Sequence, residues 1–106
     1  MTPEQVLSQF QATGVGIRAR VGQKFTGSIA LFSEPHTRPQ EFEAVIDWGD
    51  GSASSPGRVR TRGSGRFAVN GSHRYIKPGM YNVTVTIHDL AGKEIAAASS
   101  ARVLKK

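Results

Sequence analysis

The chain has no cysteine, which excludes a disulfide framework and any thiolate site for metal or nucleophilic chemistry, and leaves packing alone to hold a core. The absence does not fix the compartment, because an exported bacterial protein can lack disulfides as readily as a cytosolic one. Aromatic residues are few: one Trp, two Tyr and five Phe among 106 residues. Most are needed inside a core, so few remain for the exposed planar set expected of a carbohydrate-binding module. No segment approaches the roughly 20 apolar residues of a membrane-spanning helix, and the N-terminus lacks the basic-then-apolar order of a secretory leader. The expectation is a soluble chain without membrane insertion. Acidic residues are also under-represented, with 8 Asp plus Glu against 14 Lys plus Arg, a formal charge of +6 and a pI near 10.3. That balance favours partners carrying negative charge without naming one.

What is abundant is turn chemistry. Twelve Gly and five Pro, with 38% hydrophobic content, fit one domain with many reversals and a single modest core. The most informative stretch is Asp47-Trp48-Gly49-Asp50-Gly51. Upstream of it Phe42, Ala44, Ile46 and Trp48 share one face of an extended strand, and Glu41, Glu43, Val45 and Asp47 the other. Trp48 is therefore a core residue first. Gly49 and Gly51 tolerate positive φ and Asp50 can bond neighbouring amides, so the strand ends in a tight turn.

At the N-terminus, Thr2-Pro3-Glu4-Gln5 followed by Val6, Leu7 and Phe10 has the capping and spacing of a short helix. A poorly ordered extension or linker over residues 1–12 accounts for it better, since termini commonly fray. The domain is expected over residues 13–106. Val15 to Val21 and Phe25 to Phe32 form two extended runs, and Ser33 to Gln40, with two prolines, forms a loop. Ser52 to Gly57 is small and polar, Arg58 to Arg62 alternates basic residues with Val59 and Thr61, and Arg66 to Asn70 is a short strand that Gly71-Ser72 breaks or bulges. Pro78-Gly79 has the signature of a type II turn. Tyr81, Val83, Val85 and Ile87 then face one way along the strongest strand, with Asn82, Thr84, Thr86 and His88 facing the other. Asp89 to Lys93 makes a hairpin into a last, alanine-rich strand from Glu94 to Val103. This is an all-β chain, an immunoglobulin-like antiparallel β-sandwich of about seven strands with a short helix as the candidate N-terminal element.

The stretches FEAVIDWGDG and GRFAVNGSHRYIKPGMYNVTVTIHD resemble the PKD domain (the polycystic kidney disease repeat), especially its bacterial extracellular form, over most of Gly22 to Val103. The family pattern falls on Trp48, Gly49, Asp50 and Gly51, on His73 and Tyr75, on Gly79, and on Tyr81, Val83, Val85 and Asp89. The resemblance implies a seven-stranded sandwich, usually one of several modules in large cell-surface or secreted proteins, noncatalytic, and serving spacing or interaction with surface proteins or polysaccharide. Its partners would include the other domains of a parent chain.

Asp47, Asp50 and Asp89 are the candidate oxygen ligands for calcium, but their spacing is not a calcium-loop motif. Turn capping by Asp50 and hairpin opening by Asp89 explain them better, so no cofactor is expected. His36, His73 and His88 share no ligand or catalytic spacing and are expected to be structural or exposed. No activated nucleophile or acid/base pair is visible, and no enzyme is expected. Asn70-Gly71-Ser72 and Asn82-Val83-Thr84 match the glycosylation acceptor pattern, which matters only on a eukaryotic secretory route. The expected core centre is Trp48, Tyr81, Val83, Val85 and Ile46, with the Tyr81 hydroxyl tied to backbone at the sheet corner. Arg58, Arg60 and Arg62, with Arg66 and with Arg18 and Arg20 as further candidates, are a candidate anion-binding face for an acidic polysaccharide or another anionic surface. A solvated edge strand whose charges discourage edge-to-edge association is the simpler account, since the stretch lacks the interleaved aromatics that stack bases or sugars, and no specific nucleic acid is expected.

Overall fold

The structure, a computed structural model, describes residues 11–33, 42–63, 65–90 and 92–105. Within them the chain forms eight strands and no helix: β1 (Gln11–Gly14), β2 (Ile17–Arg20), β3 (Lys24–Ser33), β4 (Phe42–Asp47), β5 (Ser55–Gly63), β6 (Arg66–Arg74), β7 (Gly79–Asp89) and β8 (Glu94–Leu104). The helix expected before Phe10, the loop from Glu34 to Gln40 and His36 lie outside the described residues. The sheet begins at Gln11, ahead of the boundary expected at Thr13.

The strands follow the order β1-β3-β6-β5-β4-β7-β8-β2 and curl into two facing layers. β5 joins the layers: Ser55 to Gly57 pair with β4, and from Arg58 onward the strand pairs with β6. The expected Ser52–Gly57 loop therefore ends at Ser54. The run from Val15 to Val21 is not one strand. β1 pairs antiparallel with β3, and after Val15-Gly16 the chain crosses to the other layer, where β2 pairs with β8. That last pairing is parallel, an exception to the antiparallel expectation. Period-2 alternation cannot report the crossing, because side chains alternate equally well on either sheet.

The layers close over a core whose burial follows that alternation. β4 alternates buried and exposed residues without interruption from Phe42 to Asp47, and Val83, Val85 and Ile87 of β7 are buried beside it. Two aromatic groups anchor the core. Toward one pole Phe32, Phe42 and Phe67 pack with ring centroids 4.8 to 5.1 Å apart. Toward the other stand Trp48 and Tyr75, both fully buried.

Candidate functional site

The motif residues converge around Trp48. Its indole N–H donates to Ser55 Oγ at 2.7 Å, its carbonyl accepts the Tyr75 hydroxyl at 3.1 Å, and the His73 imidazole lies flat on its ring at 4.8 Å with an interplanar angle of 6°. Gly49 turns the chain at φ +80°, with its Cα facing the Asn82 carbonyl so closely that a Cβ would collide with it. A side chain is therefore excluded twice, by conformation and by space. Asp47 Oδ1 accepts the Gly49 amide at 3.0 Å. Asp50 Oδ1 accepts the Ser52 amide at 3.1 Å, the turn capping expected of it. Gly51 completes the turn at φ +83°.

Asp50 also does something the sequence did not suggest. Its Oδ2 lies 2.7 Å from His73 Nε2, so the turn after β4 is tied to β6 across the layers. Burial would raise the Asp50 carboxyl, but the hydrogen bonds from Ser52 and His73 outweigh it and lower it from the ordinary 3.8 to about 2. Tyr75 stands edge-on to His73 at 4.7 Å. Burial, with the Asp50 charge and Tyr81 adding to it, pushes its hydroxyl from the ordinary 10.0 up to about 12. Tyr75 stacks on Tyr81 at 4.7 Å, and the Tyr81 hydroxyl donates to the Lys77 carbonyl at 2.7 Å, the backbone tie expected at the corner. Tyr81 itself is only half-buried; the fully buried tyrosine is Tyr75.

Two local expectations are corrected. β6 runs without a break through Gly71 and Ser72, and the register irregularity falls on the facing strand, between Ser28 and Ala30 of β3. Gly71 is needed for packing, since a Cβ there would stand 2.5 Å from Ile46 Cδ1 and 3.2 Å from the Trp48 ring. Pro78-Gly79 is not a type II corner. The chain bends at Ile76 and Lys77, and Gly79, at φ +143° rather than near the +80° of such a turn, already opens β7 opposite Val103. Asp89 closes the β7–β8 hairpin, its Oδ1 accepting the Lys93 amide at 2.8 Å. Asp47, Asp50 and Asp89 do not gather: among the described residues no group of three or more His, Cys, Asp or Glu could hold a metal. His88 pairs with Glu94 at 2.8 Å on the exposed surface, away from His73.

Arg58, Arg60, Arg62 and Arg66 are all exposed. The first three alternate outward along β5, and Arg66 lies on the same face of neighbouring β6, where Asn70 faces Arg58 and Ala68 faces Arg60. From Arg58 onward β5 has β6 on one side and, among the described residues, no strand paired on the other. Arg18 and Arg20 project from β2, in the other layer, but the curl brings that margin against β3, where they line one concavity with Lys24. Lys24 and Arg74, which the sequence reading left aside, join the arginine face as direct cross-strand partners on β3 and β6. Their meeting depends on a pairing between strands more than forty residues apart, which no local pattern states.

These features define an immunoglobulin-like β-sandwich, a class of modular domain. Among solved structures the chain is similar to the PKD domain of an M14-like peptidase from Thermoplasmatales archaeon SCGC AB-540-F20, at 22% identity, covering 91% of this chain and 93% of that one with a TM-score of 0.58. It is also similar to the fibronectin(III)-like modules of Clostridium thermocellum CbhA, at 16% identity, covering 90% and 96% with a TM-score of 0.53. The fold is thus that of PKD and related immunoglobulin-like domains, as the motifs implied. Both neighbours are parts of larger proteins. No protein-family model and no curated protein matches the chain, and no helix among the described residues is long and apolar enough to cross a membrane.

Proposed function

We propose that this domain is a noncatalytic, PKD-like module of a larger cell-surface or secreted protein, acting as a spacer or as an interaction element toward proteins or carbohydrate. The observation that carries this reading is how the motif residues are used. Trp48, Asp50, His73, Tyr75 and Tyr81 are each engaged in a contact that locks turn to strand or layer to layer. The one acid–imidazole pair of the motif is spent on that lock. It stands beside a buried indole, where its part is structural, and this use of the motif residues supports the noncatalytic reading. The similarity to modules of a peptidase and of CbhA supports a place beside other domains.

A second reading, binding of a polyanion on the arginine face, is favoured by one observation: Arg58, Arg60 and Arg62 are presented together and outward. A glycan and matrix-protein screen on the isolated domain discriminates the two. A Kd of about 1 μM or tighter for one defined ligand would sink the spacer reading, and uniform silence would sustain it. Turnover of any screened polymer would overturn the noncatalytic assignment.

A further inference from the structure

The outer face of the β1–β3–β6–β5 layer carries an imbalance that folding does not explain. Lys24, Arg58, Arg60, Arg62, Arg66 and Arg74 all project from it, and the described carboxylates lie elsewhere. Glu43, Asp47 and Glu94 project from the other layer, and Asp50 and Asp89 are engaged at strand ends. Edge protection accounts for charge on β5. It does not account for Lys24 and Arg74, which stand directly opposite each other on β3 and β6, because like charges at directly opposed positions destabilise a sheet.

Between these cations the face is built of small polar groups. Thr26 faces Ser72 across β3 and β6, and Ser28 faces Asn70, its hydroxyl donating to Asn70 Oδ1 at 2.7 Å. A groove of about 380 Å³ runs here, lined by Thr26, Ser72, Asn70, Arg58 and Arg60. Thr26 also lines a second concavity of about 480 Å³, in which Lys24 meets Arg18 and Arg20 of β2. The two concavities therefore adjoin through Thr26. One basic path runs from the β2 margin across β3 and β6 to the arginines of β5, cationic at both ends and hydroxyl- and amide-lined between.

We propose that this path binds a linear acidic polysaccharide. Guanidinium forks match carboxylate and sulfate bidentately, the hydroxyl and amide groups match sugar hydroxyls, and among the described residues lining the two concavities the half-buried Phe25 is the one aromatic, short of the succession of rings on which single-stranded nucleic acid stacks. The inference rests on the reading of the domain as an interaction element and names the surface and the ligand class.

The test is affinity electrophoresis of the whole chain in gels carrying polygalacturonate, heparin, neutral dextran, poly(dT) or duplex DNA at about 0.15 M salt. Retention is expected in polygalacturonate or heparin, and none in dextran. Replacing either Arg58 and Arg60 or Lys24 and Arg74 by Gln should weaken it by about tenfold or more, against less than about twofold for Lys77→Gln with Lys93→Gln, which removes equal charge from residues that line neither concavity. Equal losses for all three pairs, absence of retention, or tighter binding of either nucleic acid would overturn the proposal. The urea midpoint of the Lys24/Arg74 pair should stay level or rise, since a like-charge opposition is relieved; a fall would assign these residues to folding and not to a ligand. Assay of reducing ends separates the two readings: a chain that is not retained while the polymer stays intact defeats this inference alone, whereas release of new ends defeats the noncatalytic assignment.

Discussion

Trp48 is held from several sides by different chemistry: a hydrogen bond from its N–H to Ser55, one from Tyr75 to its carbonyl, a stacked imidazole, and the open surface of Gly71 beneath its ring. Truncation to Ala would remove a fully buried side chain whose neighbours are fixed in β5 and β6 and in the segment that follows β6. Trp48→Ala should cost about 3 to 5 kcal/mol in urea unfolding; a nearly neutral result would mean that the core is centred elsewhere. Ser55→Ala should cost less, about 1 to 3 kcal/mol, because it leaves one buried N–H without its acceptor. Asp50 and Tyr75 set the pH limits of the same cluster. The folded Asp50 carboxyl, at about 2 against an ordinary 3.8, binds its proton more weakly than in the unfolded chain. Its contribution is therefore complete above about pH 4 and is lost as pH falls toward 2. The folded Tyr75 hydroxyl, at about 12 against 10.0, holds its proton more tightly, so its contribution is complete below about pH 10 and fades as pH rises through 12. Urea midpoints measured across pH should fall at both ends, and Asp50→Asn should flatten the acid arm while weakening the alkaline one without abolishing it, since burial is the larger cause of the Tyr75 shift and the Asp50 charge adds to it.

At the scale of the strand, β6 shows how far sequence patterning reaches. Alternation alone identified β4 and β7, because each has an unbroken apolar face flanked by turns. In β6 the glycine at 71 looked like an interruption, since glycine weakens an isolated strand. Had the alternation Phe67, Val69, Gly71, His73, Tyr75 been continued through it, His73 and Tyr75 would have been placed on the core side with Trp48. The small residue was a packing requirement imposed by an indole from another strand, and no local signal states that. The Asp50–His73 contact and the Lys24–Arg74 opposition were hidden for the same reason: both depend on which distant strands pair, and in which register. Gly71→Ala tests this directly. The added methyl meets Ile46 and Trp48, so the change should cost about 1 to 3 kcal/mol as overpacking, where glycine-to-alanine in an unhindered strand stabilises by about 0.4 to 1 kcal/mol. A stabilised variant in urea unfolding would show that Gly71 was a propensity defect.

For the whole molecule, the parallel pairing of β2 with β8 has a mechanical consequence. The molecule measures 50 × 25 × 23 Å. β2 and β8 run side by side in one direction, Ile17 level with Ala101 and Arg20 with Leu104, so the chain enters the sandwich at one pole and leaves it at the other. Tension applied through the ends would load the β2–β8 hydrogen bonds together and in shear, where an antiparallel end pair would open one bond at a time from its tip. A module that spaces other domains benefits from that arrangement, since it lengthens the chain by up to its long axis without yielding first at a terminal strand. The bond from the Val21 amide to the Leu104 carbonyl, 2.9 Å long, extends the pairing by one residue beyond β2. Val21→Pro removes that donor. In single-molecule pulling on a tandem array the variant should unfold at lower force than the native chain, while Ala98→Pro, on β8 but away from the β2 register, should lower the urea midpoint with less effect on force per unit of stability lost. If Val21→Pro leaves the unfolding force unchanged, the terminal parallel pair does not carry the load, and the spacer role would have to rest on geometry alone.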